Sequence, residues 1–401
     1  MKLSRLFLIG AIALGMVACN NNDIPEVVNG PDATVSVKVF PSSKSPQARS
    51  VGDLSGDGIT ATGLAEESVI NNVEVWLFAG EAPNGYGKGN DGKAFVEGVE
   101  TTAGAKSMVV AANANIGAVA NKTALLNQLK ELSQDITGGL VMTSEPVDIT
   151  LVGGHNQYGY KDGDANFNPD ANNLSDVRLP ITRINARVAL VGLEYDFDSP
   201  FFDRFELTEV TMFNARKSSK LFGTSLVDGE DFLYGANYAS SLSSYVGSDG
   251  YSGTFSGALE GSLMQAFEGN TALTLPQLVN AVNAHYFYAF ENTANTTENS
   301  EGTFIVLKGK LFNGDDEYVA PGLDTDDDGF TYYAIWVNDT KWNYNDEHEA
   351  DGTIKRNTQY NISVTLKKAG NPTIDPAEEA KLDVYVEVAP WIVVTQNVDW
   401  E

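Results

Sequence analysis

The sequence predicts an all-β protein: two β-sandwich domains in tandem, with one or two short helices. Three observations lead there. Val-rich runs, several alternating apolar and polar residues, recur along the chain between clusters of Asn, Asp, Gly and Ser, which is the pattern of strands joined by turns. The runs fall into two strand-rich halves separated by a polar stretch. The composition, with 38 Gly, 19 Phe and 16 Tyr, favours pleated surfaces and tight turns over helix. At 401 residues, 42% hydrophobic and 20% charged, the chain has room for two domains and enough apolar residues for a core in each. Its formal charge of -28 repels phosphate backbones, which removes nucleic-acid binding from the function classes.

Residues 1–18 carry Lys2 and Arg5 ahead of an apolar run from Leu6 to Val17, the layout of a secretory signal and too short for a membrane span. The run ends at Met16-Val17-Ala18-Cys19, and Cys19 is the sole cysteine of the chain. A lone cysteine after a small residue at this place looks like a bacterial lipobox, with Met16 where Leu is usual. Acylation at Cys19 would tether the exported chain to a membrane leaflet. No cysteine is then left for a disulfide, a thiolate nucleophile or a thiolate metal site.

Thr34 to Phe40 alternates strictly, with Val35, Val37 and Val39 on one face of a half-buried strand. The following residues, Pro41 to Gly58, have almost nothing to bury and read as an exposed segment open to proteolysis. A first domain is expected over 50–176. Its strands are Asn72–Ala79, Lys106–Ala112 and Gly139–Thr143, and its helix runs from an Asn121 cap to Leu132, with Leu125, Leu126, Leu129 and Leu132 at helical spacing. Tyr158–Asn173 is loop by composition.

The second domain is expected over 177–401. It opens on Val177–Gly192, read as one buried strand, and continues with strands at Phe205–Phe213, Tyr286–Phe290, Thr303–Leu311, Phe330–Val337, Gln359–Lys367 and Lys381–Val394. Ala236–Gly269, rich in Ser, Gly and Tyr, has no period.

Signals for chemistry are sparse. His155, His285 and His348 have no partner at metal or triad spacing, and no GxSxG, HExxH or P-loop pattern occurs, so no catalytic residue and no cofactor is assigned. Asp324, Asp326 and Asp328 followed by Gly329 resemble the first half of a calcium loop, but Ile335 stands where the closing carboxylate belongs, which leaves them a weak metal candidate. Asp162, Asp164 and Asn166 form a still weaker version in a loop.

Several segments together resemble the fimbrillins of Bacteroidia, the subunits of type V pili. They are the lipobox at Cys19, the strand Val35–Val39 followed by Arg49 in an exposed segment, Thr182-Arg-Ile-Asn-Ala-Arg-Val188, Phe205–Asn214, His285–Asn292, Ile354–Ile362 and the Trp-containing tail from Leu382 to Glu401. The resemblance spans most of the chain. It implies transthyretin-like sandwiches, export as an outer-membrane lipoprotein, trimming by an Arg-specific protease, and partners that are further copies of the chain and accessory fimbrial subunits. Cleavage between Arg49 and Ser50 would release 19–49 as a lipidated propeptide.

The tail fits strand donation on physical grounds as well. Leu382, Val384, Val386, Val388, Ile392, Val394, Val398 and Trp400 share one parity, interrupted by Pro390 and Gln396. The region 382–401 is thus expected to act as a donor-strand tail, with Pro390 as a bend and with Trp391, Ile392, Val394, Val398 and Trp400 in the donated piece. Loss of Val35, Val37 and Val39 would open the groove that a neighbour's tail fills, and head-to-tail addition of this kind grows a filament. A shaft subunit of a surface fimbria is the expected function. The rival from another class is a monomeric surface lipoprotein that binds glycan or protein through exposed Trp and Tyr; a secreted hydrolase would need an acidic pair in a cleft.

Overall fold

The computed structural model describes residues 30–42, 65–89, 92–223, 232–235, 258–259, 261–266, 285–293, 302–344, 348–374 and 382–390. Strands dominate throughout, and the chain is all-β in two sandwiches.

The first half of the chain supplies β1 (Asp32–Pro41), β2 (Val73–Ala79), β3 (Ala82–Gly89), β4 (Phe95–Thr102), β5 (Gly104–Ala112), β6 (Leu129–Glu131), β7 (Met142–Thr143), β8 (Val147–Leu151), β9 (Gly154–Tyr158), β10 (Asn172–Ser175) and β11 (Leu179–Arg183), and all of these but β6 form the first sandwich. The ladder runs β10-β9-β1-β11-β7-β5-β2-β3, with β4 added on β1 and β8 on β5. It folds around one apolar cluster that joins Val35, Val37 and Val39 to Val75, Leu77 and Val110. The glycine-rich hairpin arm β3 lies against β4 so closely that a methyl group on Gly87 would stand 2.6 Å from a Val99 methyl.

The second sandwich contains β12 (Asn185–Tyr195), β13 (Arg204–Phe213), β14 (Ala215–Arg216), β15 (Ser218–Lys220), β16 (Phe232–Tyr234), β17 (Ala258–Leu259), β18 (Met264–Ala266), β19 (His285–Phe290), β20 (Phe304–Asn313), β21 (Asp316–Tyr318), β22 (Phe330–Trp336), β23 (Asn343–Tyr344), β24 (Thr358–Leu366) and β25 (Leu382–Pro390). One sheet has the order β19-β12-β24-β25-β23; the other is β18-β13-β20-β21, with β22 also on β20. Val188, Leu190, Ile362 and Val384 of the first sheet share a core with Phe205, Leu207, Ile305 and Ile335 of the second. A separate cluster unites Trp76, Phe78 and Leu125 with Ile184, Phe222 and Phe290, so the two sandwiches are joined by apolar contact.

Three expectations need correction. The segment Val177–Gly192 is two strands, not one. β11 pairs with β1 and β7 in the first sheet, the chain breaks at Ile184, and β12 then pairs with β19 and β24. Backbone pairing therefore carries the first sandwich on to Arg183. The helix expected to Leu132 ends at Leu126, capped at its start by Asn121 Oδ1 accepting from Ala124 N at 2.7 Å. Beyond it Leu129–Glu131 is drawn into a ladder with β15, and tertiary pairing overrides helical spacing. Finally, residues 382–390 of the expected donor-strand tail 382–401 pair within the chain: β25 lies antiparallel to β24 over its full length, with Leu382, Val384 and Val386 buried and Tyr385 exposed.

Candidate functional site

The site is the groove that holds β1. On one side β1 pairs antiparallel with β4; on the other it pairs parallel with β9 over Ala33–Val37 and then with β11 over Val39–Pro41. The first of the described strands is thus an interior strand, with ladders on both edges. Alternation points its valines into the core, where Val35, Val37 and Val39 are 0%, 0% and 1% exposed. Three such side chains bury on the order of 5–9 kcal/mol of transfer free energy before ordering costs.

Between Val35 and Val37 the β4 ladder slips by a residue, and Gly98 takes φ +62, a conformation open to glycine without a Cβ penalty. Its N–H donates to Ser36 Oγ at 3.1 Å, so the bulge is itself tied to β1.

Polar groups hold the strand from outside the core. Lys38 Nζ lies 3.2 Å from Asp164 Oδ2, with Arg178 at 3.6 Å from the other oxygen. Burial pushes the Asp164 carboxyl up, yet the Lys161 amide, Lys38 and Arg178 together outweigh it and hold the group below the usual carboxylate range. Asn156 Nδ2 donates to Thr34 O at 3.1 Å, and Asn357 Nδ2 to Ser42 O at 3.1 Å.

Where β1 meets the second sandwich, charges are buried. Arg187 Nη1 reaches both Glu67 carboxylate oxygens at 3.1 and 3.2 Å, and Tyr288 Oη donates to Glu67 at 2.9 Å. Arg183 donates to Glu67 O and Ser68 Oγ, each at 2.9 Å, and to Asn357 Oδ1 at 3.2 Å. Burial lowers Arg183 to about 10, so it stays a cation at neutral pH, while burial and the Glu67 carboxylate push Tyr288 far above the phenol range. Removing one partner would strand a buried charge, which makes this cluster a specifier of how the two sandwiches fit.

The expected site residues divide in two. Val35, Val37 and Val39 lie together in the groove. Cys19, Arg49, Ser50, Trp391, Ile392, Val394, Val398 and Trp400 lie outside the described residues. Two of the acidic trio are engaged within this turn and its flanking strands: Asp324 accepts from Tyr318 Oη, and Asp326 accepts from the Asp328 and Phe330 amides and from Tyr332 Oη. Asp164, read as loop, is the partner of Lys38. Arg183 and Arg187 of the Thr182–Val188 motif prove to be the buried cations of this cluster, and Asn357 falls in the Ile354–Ile362 segment, whereas Glu67 and Asn156 gave no local signal because each depends on a partner distant in sequence.

Fold and groove together define an all-β two-sandwich subunit whose own N-terminal strand completes its first domain. Comparison places it further. The profile described as major fimbrial subunit protein (FimA) matches residues 33–183, and that of the FimA4 pilin C-terminal domain matches 183–391. The chain belongs to the major fimbrial subunit (FimA) family. It is similar to the major fimbrium subunit FimA type-2 and type-3 of Porphyromonas gingivalis, each 30% identical over all of both chains. Among solved structures, a fimbrilin from P. gingivalis W83 superposes with TM-score 0.69 at 25% identity, covering 92% of this chain and 100% of that one. A putative cell adhesion protein from Parabacteroides distasonis shares the fold, with TM-score 0.65 at 20% identity over 90% of this chain and 99% of that one. The family is one of structural fimbrial subunits, and the chain is accordingly a component of a cell-surface fimbrium, not a member of an enzyme family.

Proposed function

We propose that this chain is a shaft subunit exported as a lipoprotein on Cys19, cut after Arg49, and polymerised when a neighbour's tail takes the place of β1. The observation that carries this reading is the position of β1: an interior strand that continues to the rest of the chain solely through residues 43–64. A cut at Arg49 would leave it held by its ladders, its buried apolar side chains and the Lys38–Asp164 pair, and its departure would expose two ladder edges and an apolar floor. A donated strand satisfies both.

The tail supports the donor role. β25 closes its own sheet as far as Pro390, opposite Thr358, and the residues from Trp391 on carry the remaining apolar face. Pro390 has no N–H to continue the ladder, which suits a change of partner at that point. On this reading the propeptide is 19–49, the N-terminal domain runs from Ser50 to about Arg183, and the donated piece is 391–401. Lipid on Cys19 holds the precursor at the outer membrane, an Arg-specific protease releases it, and copies of the chain with accessory subunits are its partners.

The test is the N-terminal residue of protein recovered from filaments, expected to be Ser50, together with the Arg49→Ala variant, expected to remain a monomer with β1 in place. Normal filaments from that variant would refute the scheme.

A further inference from the structure

Two side-chain amides address the backbone of β1, and in each case the surrounding donors dictate which way the amide points. Asn156 is 2% exposed; its Oδ1 accepts from Val152 N at 3.0 Å, and its Nδ2 is shared between Val152 O at 2.9 Å, Gly154 O at 3.3 Å and Thr34 O at 3.1 Å. Asn357 is 0% exposed, and its Oδ1 faces Arg183 Nη1 at 3.2 Å; because a guanidinium can only donate, Nδ2 must face an acceptor, and that acceptor is Ser42 O. Arg183 is in turn held by Glu67 O and Ser68 Oγ, so the orientation is built into the junction of the sandwiches. The two carbonyls belong to residues 34 and 42, eight positions apart, or about 26 Å along a strand.

We propose that Asn156 and Asn357 form a gauge for whichever strand fills the groove, setting its minimum length by offering amide donors to main-chain carbonyls eight residues apart. This rests on the groove being the site of strand exchange. In the orientation of β1, residues 391–401 are long enough to meet both amides: with Trp391 at the place of Thr34, Asp399 falls at that of Ser42, Ile392 and Val394 fall where Val35 and Val37 stand, and Gln396 falls at that of Val39. Sliding the tail by one residue turns the apolar face outward.

The test uses the full chain nicked by an Arg-specific protease, with labelled peptide amides spanning residues 30–42 and 30–41 competing for the groove. The shorter peptide lacks the Ser42 carbonyl. Wild type is expected to prefer the longer by about tenfold, and Asn357→Gly, which keeps the positive φ of 56 at that position, by less than about threefold. Asn156→Ala should weaken both peptides alike. Equal discrimination by wild type and Asn357→Gly, or none by wild type, overturns the gauge. In the uncleaved chain, Asn357→Gly should speed hydrogen exchange at the Val39 and Ser42 amides by about tenfold while leaving the Val35 end within about twofold; unchanged exchange at Ser42 also overturns it. A wild type that discriminates the peptides yet forms no SDS-resistant ladder supports the gauge and removes the strand-donation reading.

Discussion

Replacing Val35 and Val37 together by alanine should weaken the precursor and leave the filament untouched. Both valines are fully buried, at 0% exposure, in the cluster that includes Val75, Leu77 and Val110. The double variant removes four methyl groups, about 3 kcal/mol at roughly 0.8 kcal/mol each, with a further cost for the space left behind. For a first domain of this size, about 3 kcal/mol lowers the melting temperature by roughly 6–12 °C. Calorimetry on the uncleaved chain measures that shift. The same variant is then cut after Arg49 and assembled. Because residues 35 and 37 leave with the propeptide, the filaments should resist heat and SDS as wild type does, and they should form faster, the weakened strand being easier to displace. Filaments weakened to the same degree as the precursor would show that β1 stays in the assembled subunit, and an unchanged melting temperature would show that the valines do not hold the groove closed.

Three other outcomes are expected. Cys19→Ala should give an unprocessed or mislocalised precursor, and wild type should take up a palmitate analogue; no uptake would remove the lipoprotein step. Deleting residues 391–401 should leave a soluble, cooperatively melting monomer that caps filaments, and Val394→Asp should reduce assembly by bringing an unpaired charge to an apolar groove; a deletion that unfolds the subunit would mean the tail closes its own domain. The Asp164 carboxyl, lowered by the Lys161 amide, Lys38 and Arg178 against the pull of burial, contributes stability that is present above the ordinary value of 3.8 and is lost as pH falls through the lower folded value. Asp164→Asn should therefore flatten the acid limb of a plot of melting temperature against pH below that value, and an identical acid limb in the variant would show that Lys38 gains nothing from this partner.

What the sequence by itself determined is whatever depends on local period. β1, β2, β20 and β24 were legible because alternation or a continuous apolar run marks a strand without reference to its partners, and Val35, Val37 and Val39 could be assigned to one buried face for the same reason. The segment 121–132 was misread where a neighbour intervened: the Asn121 cap and Leu125 belong to a real helix, but β15 takes Leu129–Glu131 into a ladder. The glycine-rich β3 carries no strand signal of its own, because the reason for Gly85, Gly87 and Gly89 is the nearness of β4, which no local pattern encodes. The polar half of the groove was least legible. Lys38 meets Asp164 126 residues away, Arg187 meets Glu67 120 away, and Ser42 meets Asn357 315 away, so a residue type alone could not announce these roles. Periodicity is a property of neighbours in sequence and survives in the sequence, whereas a buried charge or amide acquires its function only when the fold brings its partner within hydrogen-bonding distance and removes the water that would otherwise satisfy it.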